Sequence, residues 1–500
     1  MISTLTSPKE PAHGAPPAAG DGLVQPDELR AAFAMAMSQM YKNEVPLYGD
    51  LMRIVQGVNK KVLERSSDEP PSSDALDQLT MERHGAIRLG KASELGTVRR
   101  IFALLGMHPV GYYDLSAAGL PMHATCFRPP DSGSLRRNPF RVFTTLLRTD
   151  LIRSEEARRL ALQLLSKRNL FSEELMQLLD RAEAQNGIPI DEADVFIREA
   201  MQIFRWAPVA ASTLAEYRTL REQHPILADI ACFRTAHINH LTPRTLDIGL
   251  TQAAMLDEGM AVKDRIEGPP PRKCQILLRQ TSFLALEEAI RFKSDEATDQ
   301  DAAAANNLIS ASHKARFGEI EERGAAVTPA GRRLYDELLE EAFASSAGKS
   351  IPEIDAAMAK AFVRYPDQWD ELCARGLVYY EYRLGSKRPG ADDLVPLGHV
   401  PEADVERLVG QGFLERVPIT YEDFLPFSAA GIFQSNLPQD GKSEPVEKEV
   451  IKASPDHIGM ERALGSATIN PDGLYEEVQR KSLASSLAAL QSIVQGAGPN

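Results

Sequence analysis

Two histidines three positions apart stand in the segment FRTAHINHLTPRTLDIG, which covers residues 233–249. Few strong helix formers surround His237 and His240, and Pro243 closes the run, so we predict a strand here. Side chains three positions apart on a strand point to opposite faces of a sheet. The two histidines therefore cannot bind one metal ion together, and the local sequence favours a structural, hydrogen-bonded histidine in this setting.

A third histidine, His84, occurs in LTMERHGAIRLG, with Gly85 beside it and Arg88 four positions later. Glycine lets backbone or substrate approach closely, and the planar guanidinium of Arg88 can bind a carboxylate through two hydrogen bonds. A turn that carries a surface arginine is the alternative interpretation. For His313, in SASHKARFGEIEERG, we predict a surface position on a helix.

One carboxylate among the 70 acidic residues stands in a distinctive pattern. The alternation of Phe317, Glu319 and Glu321 in FGEIEERG indicates a short strand that directs Glu319 to one face. A carboxylate held inward needs a partner, and a metal ion is one of the few good ones. A charged helix face is the alternative. The sequence contains no P-loop, GxGxxG, GxSxG or HExxH motif, so nucleotide-binding, hydrolase and zincin functions gain no support.

Local patterns predict the helices and strands that must position these residues. Helices are predicted over residues 28–42, 45–66, 92–106 and, in several segments, 154–204. Strand-rich regions are predicted over residues 111–129, 138–152, 226–242, 272–283, 377–384 and 413–429. The predicted helix caps are Asp27, Ser154, Ser172 and Asp191. Together these patterns predict an α+β body in which separated β segments share a sheet and many helices pack around it.

Composition limits the classes of protein that fit. The 500-residue chain is long enough for one large domain or for two, and its 43% hydrophobic and 25% charged residues are typical of globular proteins. Its net charge of −14, with no cluster of Lys and Arg, argues against nucleic acid and anionic lipid as partners. No apolar stretch reaches the roughly 18 residues of a membrane span, so we expect none.

The four cysteines are far apart and form no CxxC pair: they are Cys126, Cys232, Cys274 and Cys373. This spacing argues against a disulfide framework and against a thiolate zinc site. It is typical of buried free cysteines in a reducing compartment, and we predict a cytoplasmic protein.

Six ordered segments together resemble one known family. They are MERHGAIRLG, NPFRVFTTLLR, HINHLTPRTLDI, LLRQTSF, FGEIEERGAAVTPAGRRLYD and YEDFLPFSAAGIFQSNL, and they run from about residue 28 to residue 437. The series resembles that of the 2-oxoadipate dioxygenase/decarboxylase family of lysine catabolism. The resemblance implies a fold related to the vicinal-oxygen-chelate enzymes, in which a curved, barrel-like sheet encloses a metal site and additional helices lie outside.

The resemblance also implies a mononuclear non-haem Fe(II) site. Carried over by position, its ligands are His84, His240 and Glu319, which also lie against the bound substrate. Such a facial triad leaves positions open for a 2-oxo acid and O2. Arg88 corresponds to the catalytic side chain that binds a substrate carboxylate. The strand geometry agrees with this assignment, since His240 would face the iron while His237 lies on the opposite face.

The loop LPFSAAG corresponds to further substrate contacts, at Phe427 and Ser428. The family carries a smaller aliphatic residue at the position of Phe427. If this side chain shapes the pocket, the preferred chain length of the oxo acid shifts.

The implied reaction converts 2-oxoadipate and O2 to 2-hydroxyglutarate and CO2 by decarboxylation and intramolecular hydroxylation. Two alternatives remain open at this point. The same ligands suit Zn²⁺ in an isomerase, lyase or hydrolase, which would not couple O2 consumption to CO2 release. A non-catalytic acidic binding protein would contain no metal.

Three regions of the chain differ in composition. We predict a flexible N-terminal tail over residues 1–25, which is rich in Pro, Ala and Gly and lacks the features of a secretory signal. A single large catalytic domain is predicted over residues 26–437. Beyond it, the apolar pattern thins, and residues 438–500 are predicted to form a peripheral arm with one late helix.

Overall fold

The structure is a computed structural model that describes residues 22–66, 79, 81–294, 308–346, 348–390, 402–425 and 454–496. The chain divides into two compact units. Unit 1 comprises Met1–Ile266, Gln280–Glu322 and Phe424–Ile469; unit 2 comprises Glu267–Arg279, Arg323–Asp423 and Asn470–Asn500. Most of the predicted tail and the first part of the predicted arm lie outside the described residues. The predicted division at residues 25 and 437 stays a prediction.

Twelve strands occur among the described residues. They are β1 (Glu82–Leu89), β2 (His108–Asp114), β3 (Met122–Arg128), β4 (Arg141–Leu147), β5 (Val209–Thr213), β6 (His240–Pro243), β7 (Leu278–Ser282), β8 (Glu287–Lys293), β9 (Leu308–Lys314), β10 (Phe317–Arg323), β11 (Tyr380–Leu384) and β12 (Leu414–Pro418). Seven of them form a sheet in the order β2-β3-β4-β1-β6-β10-β7, which curls into a half-barrel. Strands β5, β8 and β9 form a second sheet, and β11 pairs with β12.

Helices precede and connect these strands. They are α1 (Pro26–Glu44), α2 (Pro46–Ser66), α3 (Ala92–Leu104), α4 (Ser132–Arg137), α5 (Glu155–Ser166), α6 (Glu173–Gln185), α7 (Ala193–Met201), α8 (Leu214–Gln223), α9 (Pro225–Ala231), α10 (Ile248–Asp257), α11 (Pro329–Ser346), α12 (Ile351–Phe362), α13 (Trp369–Ala374), α14 (Glu402–Gly410), α15 (His457–Leu464) and α16 (Pro471–Gly496). None of these described helices combines the length and apolarity needed to cross a membrane. The predicted α+β class with a curved sheet and many helices is confirmed.

Two of the four predicted helix caps are confirmed. The side chains of Ser154 and Ser172 accept hydrogen bonds from backbone N–H groups in the first turns of α5 and α6. The prediction at Asp27 is wrong, because α1 begins one residue earlier with a proline and Asp27 lies in its first turn, where its carboxylate accepts a hydrogen bond from Arg30. The prediction at Asp191 is also wrong, because α7 begins after Glu192.

Two further predictions about histidine-bearing segments are wrong. The region predicted as β-rich from residue 226 begins with helix α9, in which every residue from Ile226 to Ala231 is buried. Complete burial removes the apolar periodicity by which a helix is recognised, and Pro225 fits the first helical turn. His313 lies buried on strand β9 rather than exposed on a helix.

The main apolar core lies in unit 1. It joins side chains of α1, α2 and α3 to residues of the seven-stranded sheet. At its centre the ring of Phe33 packs against those of Phe102, Phe140 and Phe204, with centroids 5.7 to 6.4 Å apart. Burying one such aromatic ring contributes roughly 1.5–3 kcal/mol to the free energy of unfolding. These four rings therefore stabilise the packing of the helices against the sheet.

Unit 2 contains the β11–β12 pair and the long C-terminal helix α16. Two backbone N–H groups of β11, at Tyr380 and Tyr382, donate to side chains of α16, Gln479 Oε1 at 2.9 Å and Ser482 Oγ at 3.0 Å. The helix therefore satisfies an edge strand that would otherwise present open backbone donors.

Candidate metal centre

Three neighbouring strands of the large sheet carry the predicted ligands. In β1, His84 lies opposite Thr242 of β6, and in β10, Phe317 lies opposite His240 of β6. Residues opposite each other share a face of the sheet, and so do residues two apart on one strand. His84, His240 and Glu319 therefore project from the same face, although they are far apart in sequence.

These three side chains, which we call the sheet cluster, converge on one point. Glu319 Oε1 lies 3.2 Å from His84 Nε2 and 3.9 Å from His240 Nε2. The three potential ligand atoms lie within 4.8 Å of one another, and all three residues are buried. Two imidazole nitrogens and one carboxylate form a donor set that suits divalent transition metals, so this cluster could hold a metal ion.

The protonation states of the sheet cluster also suit a metal. Burial lowers the pKa of His240 to about 3, so its ring is neutral at pH 7. Burial alone would raise the pKa of Glu319, but contacts with His240 and His84 and the charge of Lys263 together outweigh it and hold the pKa below its ordinary value. Metal binding requires a neutral imidazole and an ionised carboxylate, and the site provides both. A buried, ionised carboxylate is stabilised by a cation beside it.

Three polar residues that the sequence analysis did not assign to the site surround the cluster. Thr242 Oγ1 donates to Glu319 Oε1 at 3.3 Å, and Gln280 Nε2 donates to the same oxygen at 2.6 Å. Glu321 Oε2 lies 2.9 Å from His84 Nδ1, the nitrogen directed away from Glu319. The contact lacks hydrogen-bond geometry, but it places a carboxylate behind the ring of His84, where such a group can orient a ligand histidine. The alternation in GEIE already placed Glu321 on the face of Glu319, whereas no local signal pointed to Gln280.

Aromatic rings cover the two histidines. The ring of Phe424 meets that of His84 edge-on, with centroids 4.8 Å apart, and Phe317 stacks on His240 at 4.8 Å. These rings exclude water from the imidazoles and lower the local dielectric constant.

A glycine beside a ligand allows close packing on the opposite face of each of two strands. A Cβ atom built at Gly85 would lie 2.6 Å from Cδ1 of Ile238, and one built at Gly318 would lie 2.5 Å from the ring of Phe283. The group that approaches Gly85 most closely is therefore a core side chain rather than the backbone or substrate suggested by the sequence. Strands β1 and β10 lie directly against the core at the positions that carry ligands.

Arg88 lies on the same face of β1 as His84, about 13 Å farther along the extended strand. Its Nη1 donates to Oδ2 of Asp229, on α9, at 2.6 Å, and both side chains are largely buried. The predicted contacts Phe427 and Ser428 lie outside the described residues.

A second group of two histidines and a carboxylate, the Asp229 cluster, consists of Asp229, His237 and His313. Asp229 Oδ1 lies 3.1 Å from His237 Nε2 and 2.9 Å from His313 Nε2, and all three residues are buried. His237 and His240 thus belong to different clusters. The predicted alternation along one strand does not cause this separation, because β6 begins only at His240 and His237 lies in irregular backbone before it.

Comparisons with known proteins cover nearly the whole chain. The family model described as 2-oxoadipate dioxygenase/decarboxylase matches residues 33–436. A 2-oxoadipate dioxygenase/decarboxylase of Escherichia coli (strain K12) is 43% identical over 459 residues, which cover 91% of this chain and 97% of that protein. The protein of the same name from Pseudomonas putida is 41% identical over 478 residues, covering 94% of this chain and 98% of that protein.

Solved structures give the same result. The Pseudomonas putida hydroxyglutarate synthase in complex with 2-oxoadipate aligns with a TM-score of 0.79 at 39% identity, covering 94% of this chain and 100% of that chain. A Shigella flexneri structure aligns with a TM-score of 0.76 at 40% identity, covering 93% of this chain and 99% of that chain. From these matches and the match of the family model, the chain belongs to the 2-oxoadipate dioxygenase/decarboxylase family.

Proposed function

We propose that this protein is an Fe(II)-dependent dioxygenase that converts 2-oxoadipate and O2 to 2-hydroxyglutarate and CO2. The observation that carries the proposal is the convergence of His84, His240 and Glu319 on one point beneath aromatic rings. Both atoms of O2 are accounted for: one enters the carboxylate formed at the former keto carbon when the C1 carboxylate leaves as CO2, and the other enters the new hydroxyl group. The named relatives support this substrate and this chemistry.

Fe(II) bound by these residues would supply open coordination positions for a 2-oxo acid and electrons for the reduction of O2. The protein's own contribution is to hold the ligands in place. Glu321 orients the ring of His84, while Thr242 and Gln280 orient the carboxylate of Glu319. The rings of Phe317 and Phe424 exclude water, which protects reactive species from side reactions.

Arg88 is proposed to bind the carboxylate at the far end of the substrate. Its guanidinium has five N–H donors, of which Asp229 engages one among the described contacts. A fixed distal carboxylate places the carbon that becomes hydroxylated next to the metal. By resemblance, Phe427 and Ser428 complete this part of the pocket, and the size of Phe427 is proposed to set the accepted chain length.

We also propose that the protein acts in a reducing compartment, the cytoplasm. All four cysteines are free thiols, three of them buried and Cys373 partly exposed. A partly exposed free thiol is typical of proteins that remain in reducing surroundings.

The test is O2 uptake by protein loaded anaerobically with Fe(II), with products identified by mass spectrometry. We expect 2-oxoadipate to give one 2-hydroxyglutarate and one CO2 for each O2 consumed, and 2-oxoglutarate, one carbon shorter, to give little turnover. Protein loaded with Zn²⁺ serves as the control for chemistry without redox activity. Turnover of 2-oxoadipate by the zinc form, or no uptake by protein that demonstrably contains iron, would contradict the proposal.

A further inference from the structure

We propose that Asp229 is a positioning residue that sets the orientation of Arg88, and that His237 and His313 hold Asp229 in place. This inference rests on the proposed function, because it assigns Arg88 to the distal carboxylate of the substrate. It gives the Asp229 cluster the task of selecting dicarboxylic oxo acids. The cluster therefore contributes to specificity without touching the reacting atoms.

The two oxygens of Asp229 have separate partners. Oδ2 accepts from Arg88 Nη1 at 2.6 Å, while Oδ1 lies 2.9 and 3.1 Å from the Nε2 atoms of His313 and His237. The carboxylate is thus fixed on one side by two imidazoles and directs its other side at the guanidinium. A planar guanidinium that donates to a fixed oxygen loses rotational freedom, so its remaining N–H groups point in a defined direction before substrate arrives.

The two histidines are themselves fixed. Tyr217 Oη lies 2.9 Å from His313 Nδ1, so the ring of His313 has a hydrogen-bonding partner at each nitrogen. The ring of Trp206 stacks on His313 and meets His237 edge-on, with centroids 6.2 and 4.8 Å away. These contacts come from several segments of unit 1, so the orientation of Asp229 is determined by the fold and not by one loop.

The arrangement fits a hydrogen-bond network and does not fit a second metal site. A guanidinium 2.6 Å from Asp229 already supplies the positive charge that a metal ion would bring. Both imidazole Nε2 atoms lie at hydrogen-bonding distance from the same oxygen of Asp229, so each ring can donate to it.

Charge explains why Arg88 depends on Asp229. Both side chains are largely buried, and a buried guanidinium without a counter-ion is unfavourable because it has lost its hydration. If the negative charge at residue 229 is removed, the guanidinium lowers its free energy by turning towards water or towards the carboxylate of the sheet cluster. Either movement takes its donors away from the distal end of the substrate.

The test replaces Asp229 by Asn, which keeps the size of the side chain and removes its charge. We expect Asp229→Asn to raise both the KM for 2-oxoadipate and its anaerobic Kd at least tenfold, with bound iron unchanged. The preference for 2-oxoadipate over 2-oxohexanoate, which has the same chain length without the distal carboxylate, should fall by the same factor. In the Arg88→Ala background, Asp229→Asn should cause no further loss of that preference.

A matched control is Asp27→Asn, which removes the charge from another ion pair of unit 1 that contains a buried arginine. Asp27 Oδ1 accepts from Arg30 Nη2 at 2.8 Å, and Arg30 also donates to the backbone oxygens of Leu105, Ser134 and Asn138, which do not belong to the Asp229 cluster. This variant should lose stability and retain the full preference for the dicarboxylate. An unchanged preference in Asp229→Asn, or additive losses in the double variant, would overturn the inference.

If Asp229→Asn fails to fold, His237→Met is the second test. Methionine has no N–H group, so this variant removes one of the two donors to Oδ1, and the substrate preference should fall in the same direction by a smaller factor. An unchanged preference in folded, iron-containing His237→Met would then overturn the inference. Failure of the proposed function is a separate outcome, since it would appear as absent turnover of 2-oxoadipate by the unaltered protein.

Discussion

The described residues of unit 1 include two buried clusters that each combine two histidines with one carboxylate. In the sheet cluster the carboxylate lies 3.2 and 3.9 Å from two imidazole nitrogens, and in the Asp229 cluster 2.9 and 3.1 Å from two imidazole nitrogens. The clusters differ in how a cation meets the carboxylate: the guanidinium of Arg88 donates to Asp229 at 2.6 Å, whereas Lys263 lowers the pKa of Glu319 through its charge. Ligand types and distances alone do not distinguish a metal site from a hydrogen-bond network. A guanidinium bonded directly to the carboxylate favours the network at Asp229.

The largest expected effect tests which histidine of the HINH segment serves the metal. His240→Ala should reduce bound iron from about one per chain to a trace and abolish turnover, because it removes one of three ligands. His237→Ala is the matched control three residues away, and it should retain iron while losing stability. Iron is measured by mass spectrometry of metal content. Equal loss of iron in the two variants would remove the distinction between the clusters.

The second-largest effect concerns Arg88, which donates to the carboxylate of the Asp229 cluster. Arg88→Ala should raise the KM for 2-oxoadipate on the order of 100-fold, because it removes a charged hydrogen-bonding partner of the substrate. Bound iron should be unchanged. Arg100→Ala, at a surface ion pair with Glu183, is the control and should alter neither quantity. The KM is measured by steady-state kinetics with 2-oxoadipate. An unchanged KM in Arg88→Ala would show that Arg88 does not bind the substrate.

A smaller effect is expected behind the sheet cluster. Glu321→Gln should weaken iron binding by roughly 10- to 100-fold, because the carboxylate that orients the ring of His84 loses its charge. Competition with a chelator measures the change in affinity. Glu322→Gln, one position along β10 and therefore on its other face, should bind iron as the unaltered protein does. Identical weakening in both variants would indicate a general disturbance of the strand.

The smallest effect is a pH dependence of stability in the Asp229 cluster. Burial lowers the pKa of His237 below its usual 6.5; Asp229 opposes this shift, while His313 and Arg316 add to it. Below pH 6.5 the unfolded chain takes up a proton that the folded chain does not, so the free energy of unfolding falls as the pH decreases. This contribution can reach about 1.4 kcal/mol per pH unit.

Chemical denaturation between pH 7 and 5 measures that slope. The slope should be smaller in His237→Gln than in the unaltered protein, since glutamine does not titrate. An identical pH dependence in the two proteins would show that His237 takes up its proton equally in both states.

Local sequence patterns predicted some of the site, and the rest depended on the fold. The alternating pattern correctly indicated strand β10 and the shared face of Glu319 and Glu321, because every second side chain of a strand points to the same face of the sheet. Nothing local could pair β1 with β6, so the position of Thr242 opposite His84 was not predictable. The pairing of Arg88 with Asp229 across 141 positions was equally beyond local reasoning.

The resemblance named the three residues that the structure brings together, whereas local reasoning about His237 and His240 used the wrong geometry. Complete burial of helix α9 removed the apolar periodicity of that segment. His313 was misplaced for a different reason: its segment, SASHKARF, is largely polar in composition, although His313, Ala315, Arg316 and Phe317 are buried. The average composition of a segment therefore does not predict the burial of each residue in it.

At Gly85 and Gly318 only the backbone of one strand lies between the candidate metal site and the apolar core. Replacing Ile238 or Phe283 would therefore change the packing directly behind a strand that carries a proposed ligand. If the sheet cluster holds iron as proposed, we expect a looser core to lower metal affinity and a bound metal to stabilise the core. Iron occupancy would then report how well unit 1 is folded, and substitutions deep in the core would be detected first as lost metal.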